Sequence, residues 1–243
     1  MNLIKLDAID STNRYLKELS SEKDMEDYTI VVADFQTDGR GQMGANWVSE
    51  SGKNLMFSLF KQIGFLNNEE NFYVSIIASL AVFKALQQMN IPDLKIKWPN
   101  DILSGNCKIC GILVETIIKK NKIKAVIIGI GLNVSQTDFE NVPNASSLLN
   151  ITGTVYDKEE ILFKISEYFR SYESMLLNKK FNRLKEEYEQ HLFRKDKPST
   201  FKDKSEGLFM GFIKGISGQG LLQVLLEDNI LQEFDLKEIK LLY

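Results

Sequence analysis

Residues 68–90 constrain the fold of this chain more than any other stretch. Tyr73, Ile76, Ile77, Leu80 and Phe83 line one side of a helix there, and Ala78, Ala81 and Ala85 fill much of the rest. A helix that is apolar nearly all round has no face for water, so it must be buried. Asn90 and Pro92 end it. With 243 residues, 44% of them hydrophobic, the chain is long enough for one large domain plus a small one.

Strand patterns lie on both sides of that helix. Residues 28–35 are apolar and β-branched, bounded by acidic residues, and residues 54–60 follow as a second strand. Residues 94–98 alternate and stop at Pro99-Asn100-Asp101. Ile102-Leu103 resumes the strand. Residues 109–118 form a strand broken by Gly111, Lys119-Lys120-Asn121-Lys122 closes a hairpin, and residues 123–128 return. Residues 136–154 read as polar loop. Two amphipathic helices come next. Asp157 caps the first, with Glu160 placed for a capping box, and the second carries Phe181, Leu184, Tyr188 and Leu192. Residues 194–198 are a charged linker, where we place a domain boundary: 1–195 and 196–243. Short strands with Gly- and Asn-rich turns after residue 201 predict a small barrel.

Several function classes are excluded. Net charge is −3, so there is no basic footprint for nucleic acid. Residues 1–10 lack the apolar core of a signal peptide, and no run approaches the ~20 residues of a membrane span. The expectation is a cytoplasmic chain with no membrane partner. Cys107 and Cys110 have no second pair, and His191 is the sole histidine, so the usual zinc sets cannot form. Both cysteines read as structural, and His191 as a solvated or capping residue.

The stretch Gly39-Arg40-Gly41-Gln42-Met43-Gly44-Ala45-Asn46-Trp47 is built for close approach: glycines free the backbone, and the arginine offers a planar fork of donors. It is either a loop over an anionic ligand or a surface loop with an anchor tryptophan. Its G-x-G-x-x-G spacing lacks the following helix of a dinucleotide site, since a strand comes next. No kinase motif set or phosphate loop occurs. Asp10-Ser11-Thr12-Asn13 opens a helix, as caps or as ligand-facing hydroxyls. An arginine and a lysine, with no metal cluster and no nucleophilic triad, suit attack of a substrate carboxylate on a nucleotide phosphate, because the substrate brings the nucleophile.

In chain order, Asp10 to Asn13, the glycine stretch to Trp47, Lys97-Trp98-Pro99-Asn100-Asp101, Lys108 with Gly111-Ile112-Leu113-Val114-Glu115, and Gly129-Ile130-Gly131-Leu132-Asn133-Val134 resemble the biotin protein ligase family. The resemblance covers nearly the whole chain. It implies an α/β (α+β) catalytic domain related to class II aminoacyl-tRNA synthetases, with a small C-terminal SH3-like β-barrel. It also implies two half-reactions: biotin and ATP with Mg²⁺ give biotinyl-5′-AMP, and a lysine of a biotin carboxyl carrier domain then takes the biotin. By resemblance, Ser11, Thr12, Gln36, Gly39, Gly41, Gly111 and Ile112 bind biotin. Arg40 and Lys108 are the catalytic pair, touching both biotin and nucleotide. Gln42, Trp47, Asn54 and Asn133 bind ATP, and Asp101 is a candidate to position ligand or metal. Gln42 and Ala45 stand where relatives often carry arginines. Only nine residues precede Asp10, so the monofunctional form is expected, with no DNA partner; a homodimer stays open. The competing readings are a lipoate-type ligase and a non-catalytic biotin-sensing module.

Overall fold

The computed structural model describes residues 2–119, 122–139, 142 and 144–243. The turn read at Lys119-Lys120-Asn121-Lys122 centres on residues 120 and 121, which lie outside the described residues.

Seven strands make the larger sheet: β1 (Asn2–Ile9), β2 (Thr29–Gln36), β3 (Leu55–Gln62), β4 (Leu94–Lys97), β5 (Asp101–Ser104), β6 (Cys107–Lys119) and β7 (Lys122–Leu132). Their order is β1-β2-β3-β7-β6-β5-β4. Only β1 and β2 pair in parallel; the other neighbours are antiparallel. Along β2, side chains alternate between two cores, as a strand buried on both faces requires. Ile30 enters the large core with α2 (Phe72–Gln88), whereas Val31 packs with Leu16 of α1 (Thr12–Glu22) in a smaller one.

The helix read at 68–90 divides at its start. Residues Asn68–Glu70 are a 3₁₀ turn, because Asn67 and Glu70 form a reciprocal capping box ahead of α2. From Tyr73 to Leu86 all but Ser75 and Lys84 are buried. Its cover is β4–β6 on one side and α4 (Lys158–Leu177) and α5 (Phe181–Gln190) on the other. Asp157 caps α4 through the Glu159 N–H (2.9 Å), while Glu160 turns outward to Lys164 (3.6 Å), so the expected capping box is half made. A five-residue helix, α3 (Leu148–Thr152), stands in the stretch read as loop, capped by Ser147 and closed by Gly153 at φ +69°. It is too short to show a period.

Two further expectations change. Strand β6 runs unbroken through Gly111, which pairs with Gly131. The irregularity falls at Ile109, where the register against β5 shifts between Lys108 and Cys110. Such a bulge re-aims the side chains beside it. After α5 come β8 (Pro198–Asp203), β9 (Leu208–Ile216), β10 (Leu222–Leu226), β11 (Leu231–Phe234) and β12 (Ile239–Leu242). They pair antiparallel in the order β11-β10-β9-β8-β12. This sheet fits a small SH3-like domain, but its pairing does not close a barrel: β11 and β12 are its edges. Among the described residues, no helix is long and apolar enough to cross a membrane.

Candidate active site

Gln36, at the end of β2, caps α1. The Thr12 N–H (2.8 Å) and hydroxyl (3.0 Å) both donate to its Oε1. Ser11 occupies the N-cap position but makes no cap bond with its side chain, so Gln36 does the work expected of the Ser11 hydroxyl. Behind Thr12, Ser58 Oγ lies 2.7 Å from Thr12 Oγ1 and 2.6 Å from Asn13 Oδ1, and Asn13 Nδ2 donates to Glu115 (2.8 Å). The helix start is therefore a buried polar wall with Ser11 at its rim.

The glycine stretch folds as a miniature hairpin. Trp47 N–H donates to the Gly39 carbonyl (2.8 Å) and Gly41 N–H to that of Ala45 (2.6 Å), around a turn at Gln42–Gly44. Arg40 is half exposed, with its guanidinium on Asp38 (2.9 Å). The hairpin delivers the Trp47 indole onto the sheet. A Cβ on Gly131 would stand 2.5 Å from the ring, and one on Gly111 would stand 3.2 Å from both the ring and Lys108 Nζ. These two paired glycines make a floor that only glycine permits. Trp47 Nε1 is buried with no hydrogen-bond partner, although a buried donor ordinarily has one.

Lys108 stands at the bulge. Its ammonium lies 2.7 Å from Asp101 Oδ1 and 5.8 Å from the centre of the Trp47 ring. Lys97 reaches the other Asp101 oxygen at 3.4 Å. The Lys108 backbone is tied to Asn144 and Ser146 (2.6 and 3.0 Å). Next to it, burial pushes the Cys110 thiol far above the ordinary range, which keeps it neutral and structural. Neither cysteine is disulfide-bonded.

One pocket is lined by Ser11, Thr12, Gln36, Arg40, Gly41, Gln42, Trp47, Lys108, Gly111 and Ile112, all expected from the sequence, and Gly39 adjoins it through Gln36 and Trp47. Asn54 and Asn133 are not among its lining residues. Both are buried: Asn54 bonds Gln136 (2.6 Å) and the Val134 N–H (3.1 Å), and Asn133 bonds the Ser146 carbonyl (3.0 Å). Sequence reasoning missed Asn13, Phe57, Asn100, Leu113, Gly129, Ile130 and Gly131 as lining residues. The glycine alternation Gly129-Ile130-Gly131 was the available signal, since a strand rarely gives up two side chains on one face without something lying there.

Asp101 is committed to lysines in this structure. Its two oxygens face two lysines, and among the described residues no three His, Cys, Asp or Glu side chains converge.

Polar groups converge on an apolar-floored pocket of a mixed α/β sheet, the arrangement in which small molecules are commonly held. Residues 6–133 match the model of the Biotin/lipoate A/B protein ligase family, and the chain belongs to that family. It is 33% identical over 180 residues to the bifunctional ligase/repressor BirA of Bacillus spizizenii, covering 70% of this chain and 54% of that protein. The match thus spans about half the length of that relative. The biotin--[acetyl-CoA-carboxylase] ligase of Mycobacterium tuberculosis is 29% identical, covering 64% of this chain and 58% of that one. Among solved structures, the biotin protein ligase of Aquifex aeolicus in complex with biotin and ATP superposes with a TM-score of 0.81 at 30% identity, covering 99% of this chain and 98% of that one.

Proposed function

We propose that this chain is an ATP-dependent biotin protein ligase. The observation that carries the reading is Lys108, whose ammonium is held 2.7 Å from Asp101 at the rim of a pocket otherwise walled by the Arg40 hairpin and the polar start of α1. Biotin would lie with its ureido ring toward Ser11, Thr12 and Gln36, flanked by Gly111 and Ile112. Its carboxylate would face Arg40 and Lys108, with Gly39 and Gly41 letting the hairpin close. Arg40 exchanges Asp38 for that carboxylate. One carboxylate oxygen then attacks the α-phosphorus of ATP, the bond to pyrophosphate breaks, and biotinyl-5′-AMP remains. The neutral amine of an acceptor lysine next attacks the acyl carbon; the bond to AMP breaks, the amine loses a proton, and an amide is left. The protein's part is positioning and neutralisation of charge on the α-phosphate.

Trp47 and Gln42 are assigned to the nucleotide. Asn54 and Asn133 would act on its side of the site through the segment they pin. Magnesium comes with ATP as part of the substrate. The acceptor is a biotin carboxyl carrier domain. Catalysis is placed in residues 1–195, with 196–243 as the second domain, in a cytoplasmic enzyme that binds no DNA and whose exposed strand edges leave a homodimer open. The polar wall of Thr12, Asn13, Gln36 and Ser58 suits a ureido ring better than the linear chain of lipoate. Biotin-dependent ATP–pyrophosphate exchange, with lipoate alongside, followed by transfer to a carrier domain, is the test. Exchange with lipoate in place of biotin would make it a lipoate-type ligase, and biotin binding without exchange a sensor.

A further inference from the structure

Every residue of the turn Lys97-Trp98-Pro99-Asn100-Asp101 is tied to a different part of the molecule. Lys97 and Lys108 share Asp101. Asn100 Nδ2 donates to the Ile112 carbonyl, and the Ile112 N–H returns a bond to the Asn100 carbonyl (3.0 Å). The Tyr188 hydroxyl of α5 donates to the Pro99 carbonyl (3.2 Å). Two residues of the turn reach the C-terminal part of the chain: Lys97 lies over the Tyr243 ring (5.3 Å), and Trp98 Nε1–H donates to the Gly220 carbonyl at 2.8 Å.

Gly220 is shaped for that contact. It sits at φ +87°, and a Cβ there would overlap Phe72 Cγ at 2.1 Å, so only glycine lets the β9–β10 turn lie on the ring. Phe72 in turn meets Tyr188 edge to face. The turn itself is knitted around Ser217, whose hydroxyl accepts from the Gln219 and Leu221 N–H groups. The hydrogen-bonded β9–β10 turn of the smaller sheet thus grips the bracket that carries Asp101, and Asp101 holds the Lys108 ammonium.

We propose that Trp98, anchored on Gly220, is a positioning residue for Lys108: the smaller sheet sets the register of the Lys97–Asp101 bracket and so the aim of the Lys108 ammonium. Trp98 does not line the pocket that holds Arg40 and Trp47; it lies with Asp101 and Lys108 along a second hollow against the smaller sheet, where its N–H is already committed to Gly220. This rests on the proposed ligase reading, in which Lys108 stabilises charge at phosphorus.

The test is a double-mutant cycle on the full chain, read by biotin-dependent pyrophosphate exchange. Trp98→Phe keeps the ring and deletes the N–H. It should lower the exchange kcat by up to about ten-fold, the scale of one lost hydrogen bond, with a smaller change in the KM for biotin, whose carboxylate Arg40 also holds. In a Lys108→Ala background the same substitution should change the rate by less than about two-fold, because the group it aims is gone. Gly220→Ala breaks the same contact from the other side; it should reproduce the loss and add little to Trp98→Phe. If Trp98→Phe has no effect, or costs as much without Lys108 as with it, the positioning role is overturned while the ligase reading stands. If the wild-type chain shows no biotin-dependent exchange, the ligase reading falls and takes this role with it.

Discussion

At the residue scale, positive charge in the pocket rests on few groups. Gln42 lines it but brings no charge, leaving Arg40 and Lys108. Lys108→Ala is therefore expected to slow adenylate formation on the order of 10²-fold or more, the cost of one preorganised donor at developing charge. Exchange within a few-fold of wild type would remove Lys108 from that role. His191 supplies a second prediction. It ends α5 and stacks on Phe83, with centroids 4.1 Å apart. Burial, with Lys84 nearby, holds its imidazole below the ordinary value of 6.5. The unfolded chain then binds the proton more readily, so this contribution to stability is complete above about pH 6.5 and is lost as pH falls below it. Urea midpoints between pH 7.5 and 5.5 should decline, and His191→Phe, which keeps the stack, should flatten the decline. The sequence marked His191 only as capping or solvated, because its stacking partner is 108 positions away and leaves no local trace.

At the scale of elements, the β6–β7 pair is the least forgiving part of the site. Gly129 faces α1, where a Cβ would stand 2.4 Å from Asn13 Oδ1, and Asn13 is locked between Ser58 and Glu115. Gly129→Ala should cost about 1–3 kcal/mol in denaturant unfolding, the usual penalty of overpacking. Gly131→Ala meets the Trp47 ring, which is carried by a largely exposed hairpin and not by a core element. It should leave the unfolding midpoint close to wild type and shift tryptophan emission to the red. An unshifted spectrum would mean that the ring does not lie on this floor. Most strands, the glycine loop and α2 were legible because each repeats a period or a turn type over several neighbours; that the loop pairs with itself as a hairpin was not. β1 was not: it is a half-exposed edge strand whose pattern is weak until β2 is beside it.

At the scale of the whole molecule, the two sheets share one hydrophobic cluster that runs from Ile30, Leu80 and Ile102 to Phe201, Val224 and Phe234. The charged segment after α5 is bonded at both ends, Phe193 N–H to the Ile96 carbonyl (2.8 Å) and Asp196 N–H to that of Ile213 (2.9 Å). The chain should unfold in a single transition, with near- and far-ultraviolet circular dichroism midpoints coinciding, and Phe201→Ala should move both together by about 3–5 kcal/mol. Separate midpoints would show two independent units. What the sequence determined by itself was local and periodic: the buried helix, most strands, the glycine loop, and the residue types able to hold a carboxylate beside a phosphate. What only the tertiary structure decided was which distant groups meet. Gln36 caps a helix 24 residues away, Asp101 is shared by two lysines, Gly111 and Gly131 clear a floor for Trp47, and Gly220 holds Trp98. Each of these depends on strand register and sheet order, and those are set by long-range packing that no short window of sequence contains.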